Sequence, residues 1–444
     1  MKVLFVVTAF YPEQAIGSIR ITKFAKFLQR KGVSVTVISL SPPPWASRDE
    51  SLYFPGLKEM QWDVIDQSWL FKKVFQKMRI ATSGNLPGNA GISKKSSDKT
   101  FKVKILASAQ FLYTLLKAID WSICIRKHAR SNLSNQNFDF IFASYPSFAS
   151  PLAGIQLKKL GIGKKLAIDF RDPIIINNTK FSLKKLLQNY ILNNADLRSF
   201  VSNGVKNQTV KGAILPIDLI APNGFDSEDE EGFKSNIPKN SSEKILSFVY
   251  TGAIYGGKRD LRPFFRAISN VLADSCYELK QLRFEYAGKE GNIFLSQAKE
   301  FGMEDNVINH GQISRSDSLL LQQKSDVCLL ATWNTKREQG ALTGKIFEYF
   351  MFKKPVAAIV VGDLDGSEIA QIIRSIGAGF CFEQANSNSY EDFEDWLKKI
   401  MNEKFSTGLL QNTYNEKVKN FDIQEVVSLL KIKMEDLTDF KKSL

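Results

Sequence analysis

Histidine is almost missing from this chain: His128 and His310 are the only two in 444 residues, and they lie far apart. That excludes chemistry built on a histidine cluster. Cysteine is scarce as well, and Cys124, Cys276, Cys328 and Cys381 show no paired spacing. A disulfide framework and a zinc site are both disfavoured, and a reducing cytoplasm fits. No run of about 18 apolar residues occurs, so no transmembrane helix is expected. The longest candidate, Ile105 to Ile119, is interrupted by Gln110 and Lys117. The opening "MKVLFVVTAFYP" is apolar but short and has no small-residue cleavage site, so no signal peptide is expected. There is no short internal repeat and no recognised nucleic-acid module, so no nucleic-acid partner is expected. A phosphate loop is lacking too. In "EQGALTGKIFEYFMFKKPV", Gly340 and Gly344 enclose three residues where the G-x-x-x-x-G-K-[ST] rule needs four. Lys345 is followed by Ile346, which has no hydroxyl for Mg²⁺.

What is present describes a two-domain globular protein. A length of 444 residues exceeds one usual core. Hydrophobic residues make up 44% and charged residues 24%, the balance of an ordinary folded chain. The net charge of +14 is unevenly placed: residues 1–225 hold 32 Lys+Arg against 13 Asp+Glu, and the remainder holds 28 against 33. A basic first half by its charge alone suits an anionic partner: nucleic acid, an anionic membrane surface or a phosphorylated acceptor.

Apolar runs and helical periodicity alternate along the chain. "KVLFVVTAF" reads as a buried strand, "GSIRITKFAKFLQRKG" as a helix with Ile21, Phe24, Ala25 and Leu28 on one face, and "VSVTVISL" as the next strand. This is a βαβ unit, which implies a parallel sheet. Residues 41–100 are less regular. The pattern resumes with "FDFIFAS", "KLAIDF" and "LRSFVS", pauses at the polar, acidic stretch around 226–243, and starts again at "ILSFVYTG". The expected architecture is α/β, with two doubly wound Rossmann-like domains facing a cleft. One spans 1–225 and the other 244–422, with a linker at 226–243. A last helix, 423–444, is placed to return to the first domain. Ligands of such sheets bind at the carboxyl ends of strands.

Four stretches fall at those ends. "YPEQAIGSIR" puts Gly17 and Ser18 at a helix start, where N–H groups can meet a phosphate; it also reads as an ordinary loop with a Ser N-cap. "AIDFRDP" places Asp169, Arg171 and Asp172 together, either for binding an anion and orienting a hydroxyl or as a structural ion pair. "YTGAIYGGKRDLRPF" sets Gly252, Gly256 and Gly257 before Lys258 and Arg259, a diphosphate clamp or a solvated basic pair. In the fourth, Thr343 and Gly344 open a helix in which Glu348 can accept two hydroxyls of a ribose or simply pair with Lys345 or Lys353. Asp363 and Asp365 in "GDLDG" resemble a D-x-D metal motif but sit where a turn and a helix cap explain them. "WLFKKVFQKMRI", Trp69 to Ile80, interleaves aromatics with cations, as an interfacial helix or as a basic surface helix.

Taken together and in order, "YPEQAIGS", "DFRDP", "PNGFD", "YTGAIYGGKRD" and "GALTGKIFEY" resemble the glycosyltransferase family 4 group of GT-B enzymes, from Lys2 to about Glu383. The likeness is to the bacterial cell-surface polysaccharide branch in particular. The resemblance implies a retaining transferase that needs no metal or bound cofactor. Its co-substrate would be a nucleotide-sugar, UDP- or GDP-linked, and its acceptor a lipid-linked sugar or an oligosaccharide. It would work in the cytoplasm, peripherally at the inner face of an anionic membrane. The resemblance also implies residue roles. Glu348 would bind the ribose, and Leu342, Thr343 and Gly344 the diphosphate and sugar. Lys258 and Gly252 would lie on the diphosphate, and Gly17 with Ser18 near the donor phosphate. Lys258, Glu338, Arg171 and Asp172 are the catalytic candidates. The chain departs from the pattern in three places. Gly340 stands where the E-x(7)-E pair has its first glutamate, with Glu338 nearby. Ala253 stands where an arginine is frequent, and "SYPSFASPLAG" has no histidine. Those departures leave two other readings, a catalytically silent GT-B partner protein and a nucleotide-sugar epimerase.

Overall fold

The computed structural model describes residues 1–13, 16–42, 46–74, 97–173, 183–210, 215, 217–231, 245–336 and 342–439. They form two compact units. The first takes the described residues up to Asn223 together with those from Ile423 onward. The second takes the described residues of Gly224–Asp422.

The first unit is built on seven parallel strands: β1 (Lys2–Val7), β2 (Ser34–Ser39), β3 (Gln61–Val64), β4 (Phe138–Tyr145), β5 (Gly163–Phe170), β6 (Leu197–Phe200) and β7 (Asp218–Ile220). Their order is β3-β2-β1-β4-β5-β6-β7. The central strands carry near-continuous apolar runs because helices cover both faces. Val3 to Val6 are fully buried, as are Phe140 to Ala143. β1 pairs with β2 on one side and β4 on the other, so the winding reverses there. Ligand crevices open at that kind of reversal, past the carboxyl ends of the strands.

The second unit repeats the plan with β8 (Leu246–Thr251), β9 (Leu282–Ala287), β10 (Val307–Asn309), β11 (Val327–Trp333), β12 (Val356–Val361) and β13 (Gly379–Glu383), all parallel, in the order β10-β9-β8-β11-β12-β13. Here the winding reverses between β8 and β11. The segments after those two strands are the third and fourth sequence motifs.

The helix Ile423–Asp439 belongs to the first unit. Ile423, Val426, Val427, Leu430 and Met434 follow i, i+3, i+4, i+7, i+11 and are buried in one cluster with Val3, Phe5 and Phe24. Lys165 adds a hydrogen bond from its ammonium to the Leu437 carbonyl. Of the linker proposed at 226–243, Asp226 is buried, Ser227–Glu231 is helical, and 232–243 lie outside the described residues. No helix among the described residues is long and apolar enough to cross a membrane.

Candidate functional site

In the first unit, the helix Ile16–Arg30 starts beyond the carboxyl end of β1. Gly17 packs against Arg171. A Cβ on Gly17 would stand 2.1 Å from the Arg171 Nη1, so a larger residue there would have to push the guanidinium aside from the helix start. Arg171 is aimed by Tyr145 at the end of β4. The Tyr145 carbonyl accepts from the Arg171 N–H at 3.3 Å and from its Nε at 3.1 Å. Burial lowers the Arg171 pKa from its ordinary value, with Asp169 opposing. Ser18 is fully buried, and its hydroxyl finds no partner among the described residues.

The charges of "AIDFRDP" therefore separate. Asp169 is the structural ion pair. It is completely buried, takes the Arg20 Nε at 3.1 Å and Nη2 at 2.8 Å, and also accepts the hydroxyls of Ser144 (3.2 Å) and Ser199 (2.7 Å). Arg20 uses its remaining donors on Ala221 O, Pro222 O and Asn223 Oδ1. The network joins β4, β5, β6, the first helix and the chain leaving β7. Arg171 points to the helix start, whereas Asp172 is exposed and accepts no hydrogen bond from the described residues.

In the second unit, motifs three and four meet across β8 and β11. Gly252 has φ +113, a conformation that L side chains rarely adopt, and a Cβ there would touch the Lys345 side chain at 3.5 Å. Lys345 in turn lies 3.4 Å from the Glu348 Oε2. The same oxygen accepts from the fully buried Gln322 amide at 2.8 Å, and that amide also reaches the Thr251 hydroxyl at 3.0 Å. Glu348 is thus fixed through Oε2, and Oε1 takes no partner among the described residues. Its side chain keeps 21% exposure, enough to meet a ligand while its bonds stay strong. Ile346, Phe347 and Phe350 turn into the core as expected, packed with Leu342. Gly344 stands in open space, with nothing within 4 Å of a Cβ, and the Thr343 hydroxyl is buried without a partner among the described residues. The helix Lys345–Met351 is only 7 residues long, so its side chains, more than its dipole, give this site its chemistry. Glu338 and Gly340 lie outside the described residues.

The glycine turn after β8 does not cradle an anion in the way its sequence suggests. Three of its amides are already occupied. Glu290, just past β9, accepts the N–H groups of Ile254 (2.6 Å), Tyr255 (2.9 Å) and Gly256 (2.7 Å). The Tyr286 hydroxyl accepts the Glu290 N–H at 3.1 Å and donates to Gly252 O at 2.9 Å. Lys258 extends from this turn and places its ammonium 3.7 Å from the centre of the Trp333 ring. Arg259 folds back, stacking on Tyr255 at 4.7 Å and donating to Ala253 O at 3.1 Å. Burial raises the Glu290 carboxyl, but the three N–H donors outweigh it and hold it below its ordinary value. A depressed carboxylate contributes stability above its unfolded pKa and loses it as pH falls through the folded one. The second unit is therefore expected to weaken below about pH 4.3. Thermal melts between about pH 6 and about pH 3 should show Glu290→Gln flattening that decline.

The D-x-D stretch is a turn. Asp363 Oδ1 accepts the Lys336 N–H at 2.9 Å, and the Asp365 carbonyl accepts from Asn334 at 3.3 Å. A cavity of about 780 Å³ beside it is lined by Thr335, Lys336, Gly362, Asp363 and Gln384, and Gln384 Oε1 takes the Gly362 N–H at 2.9 Å. Among the described residues no three metal-ligating side chains converge. Arg20, Glu290, Gln322 and Trp333 were not singled out from sequence. Glu290 alone left a trace there, as a carboxylate two residues past the glycine that ends "LRFEYAG".

No family model and no curated protein sequence matches the chain. Solved structures do. A lipopolysaccharide outer core galactosyltransferase, WaaB, is 13% identical with a TM-score of 0.56, over 98% of this chain and 99% of that one. An E. coli trehalose-6-phosphate structure bound with UDP-2-fluoro glucose is 12% identical with a TM-score of 0.62, over 97% and 98%. A putative UDP-N-acetylglucosamine 2-epimerase from Listeria monocytogenes is 10% identical with a TM-score of 0.51, over 100% and 97%. With the two parallel sheets, these likenesses establish the GT-B fold. They span more than one activity, so the choice among activities rests on the site.

Proposed function

We propose that this protein is a glycosyltransferase that moves a sugar from a nucleotide-sugar to a lipid-linked or glycan acceptor in cell-surface polysaccharide synthesis, with retention and without a metal. The observation that carries this reading is Glu348: one carboxylate oxygen is held by Gln322 and Lys345, the other takes no partner among the described residues, and Lys345 in turn packs near Gly252. A carboxylate so held can accept hydroxyls of a ribose. The ammonium groups of Lys258 and Lys345 then supply preorganised positive charge where a departing nucleoside diphosphate gathers negative charge. The likeness to a sugar transferase of the lipopolysaccharide outer core favours the cell-surface role. Gly17, Ser18 and Arg171 in the basic first unit form a second anion-binding group, suited to a phosphorylated acceptor.

A thermal-shift panel of UDP-, GDP-, ADP- and dTDP-sugars tests the reading. One nucleotide series should stabilise the protein without added divalent metal. If none does, the silent-partner reading takes its place. The Listeria likeness supports the epimerase as a second enzymatic reading, and it is separated by product, an epimerised free nucleotide-sugar in the absence of acceptor.

The membrane part of the proposal rests on the first unit. In the helical stretch 69–74, Trp69, Leu70 and Val74 are 70%, 63% and 60% exposed, while Phe71 is buried against Tyr113. Lys73 lies over the Trp69 ring at 4.8 Å. Leu112, Leu116, Ile119 and Ile123, at i, i+4, i+7 and i+11, leave an apolar stripe exposed on the helix Ser97–Asn132. Residues 75–80 of the cationic stretch lie outside the described residues. Binding to anionic liposomes is expected to fall with Trp69→Ala and Lys73→Ala and with rising salt. Binding that ignores both would remove the membrane from the account.

A further inference from the structure

The turn after β8 forms an anion-binding nest of consecutive amides, and the protein fills it with its own carboxylate. The occupant comes from another strand connection, 34 to 36 residues away in sequence. The turn it holds contains Tyr255 at φ 54, a left-handed conformation in a residue with a Cβ, flanked by Gly256 at 63 and Gly257 at 90. Such a turn persists only where its surroundings fix it. Three bonds to Glu290 and the Tyr286 hydroxyl on Gly252 O do that. Lys258 is the next residue after the turn, and its own N–H closes on Tyr255 O at 3.2 Å. The position of the Lys258 ammonium over Trp333 therefore depends on the nest being closed.

We infer that Glu290 is a positioning residue for diphosphate recognition: its carboxylate occupies the nest so that the diphosphate is met by the Lys258 side chain, not by the turn amides. The inference rests on the nucleotide-sugar reading above. It adds that diphosphate is read by a cation on a clamped turn, so the clamp sets the preference for nucleoside diphosphate over monophosphate. A carboxylate that merely capped the turn would change stability and leave that preference alone.

A double-mutant cycle in nucleotide binding separates the two, using whichever of UDP, GDP, ADP and dTDP binds the wild type most tightly, with its monophosphate as reference. Glu290→Ala is expected to weaken diphosphate binding by about tenfold or more, the loss of one charge-assisted contact, with little change for the monophosphate. In a Lys258→Ala background the same change should cost less than about twofold, because coupled residues are not additive. Glu290→Gln keeps the volume and one acceptor oxygen; it should fall between wild type and Glu290→Ala, and it serves if the alanine variant does not fold. Equal losses for diphosphate and monophosphate, full additivity with Lys258→Ala, or wild-type affinity in both Glu290 variants would overturn the inference. A wild type that binds none of the four nucleotides overturns the underlying reading as well, and that failure is visible before any variant is made.

Discussion

Glu348→Ala is expected to abolish measurable nucleotide-sugar binding while the second unit stays folded. Each hydrogen bond from a ribose hydroxyl to an ionised carboxylate contributes about 1.5–3 kcal/mol, so losing one alone weakens binding by about ten- to a hundredfold. The stability cost is smaller. Glu348 is partly exposed, and its ion pair with Lys345 at 3.4 Å is an i, i+3 pair on a helix, of a kind that contributes about 0.2–0.5 kcal/mol. The larger structural cost is the Gln322 amide, which loses one acceptor but keeps the Thr251 hydroxyl at 3.0 Å. Calorimetric titration with the matching nucleotide and its 2′-deoxy analogue checks this. The wild type should prefer the ribose form, and Glu348→Ala should show no preference. If the variant binds as the wild type does, Glu348 is a helix residue paired with Lys345 and nothing more.

Asp169→Ala is expected to cost the first unit about 3–5 kcal/mol, the loss seen when one partner of a buried pair is removed. The pair is fully enclosed, with side-chain exposures of 2% for Arg20 and 0% for Asp169. Removing the carboxylate leaves the guanidinium buried with carbonyls, an amide and the Phe24 ring but no counter-charge in the pair, and leaves two hydroxyls, Ser144 and Ser199, without their acceptor. Against a typical total of about 5–15 kcal/mol, that is a large share of the unit's stability. Urea unfolding followed by tryptophan fluorescence, with Trp121 fully buried in the same unit, should show the early transition. The second unit's transition should hold its midpoint, since every partner of Asp169 lies in the first unit. A shift under about 1 kcal/mol, within the range of an ordinary surface change, would show the network to be dispensable.

Much of the fold could be read in the sequence because parallel strands buried on both faces are written as apolar runs. "KVLFVV" and "VAAIVV" cannot easily be anything else, and the glycine turn "GDLDG" stands at the carboxyl end of the second. The position of Glu348 could be read for a similar reason: Ile346, Phe347 and Phe350 set the buried face of its helix, which leaves Glu348 on the other. The partners that give it chemistry could not. Gln322 and Glu348 are 26 residues apart, on the helices before and after β11, and nothing local in either marks the other. Asp169 and Arg20 are 149 apart, and nothing local marks which aspartate in "DFRDP" is sealed in the core. The turn after β8 misled in an instructive way. Its glycines and positive φ do form a nest of amides, but sequence says nothing of Glu290, whose carboxylate arrives from the connection after β9 and accepts three of them.

The most direct test of the transferase account is a transfer assay. Purified protein is incubated with each radiolabelled nucleotide-sugar and an undecaprenyl-linked acceptor extract, with a chelator present to remove divalent metal. The account predicts that label from one donor moves into the lipid fraction with the wild type and does not with Glu348→Ala. Label that stays in the nucleotide fraction for every donor, or that moves equally well with Glu348→Ala, would contradict it.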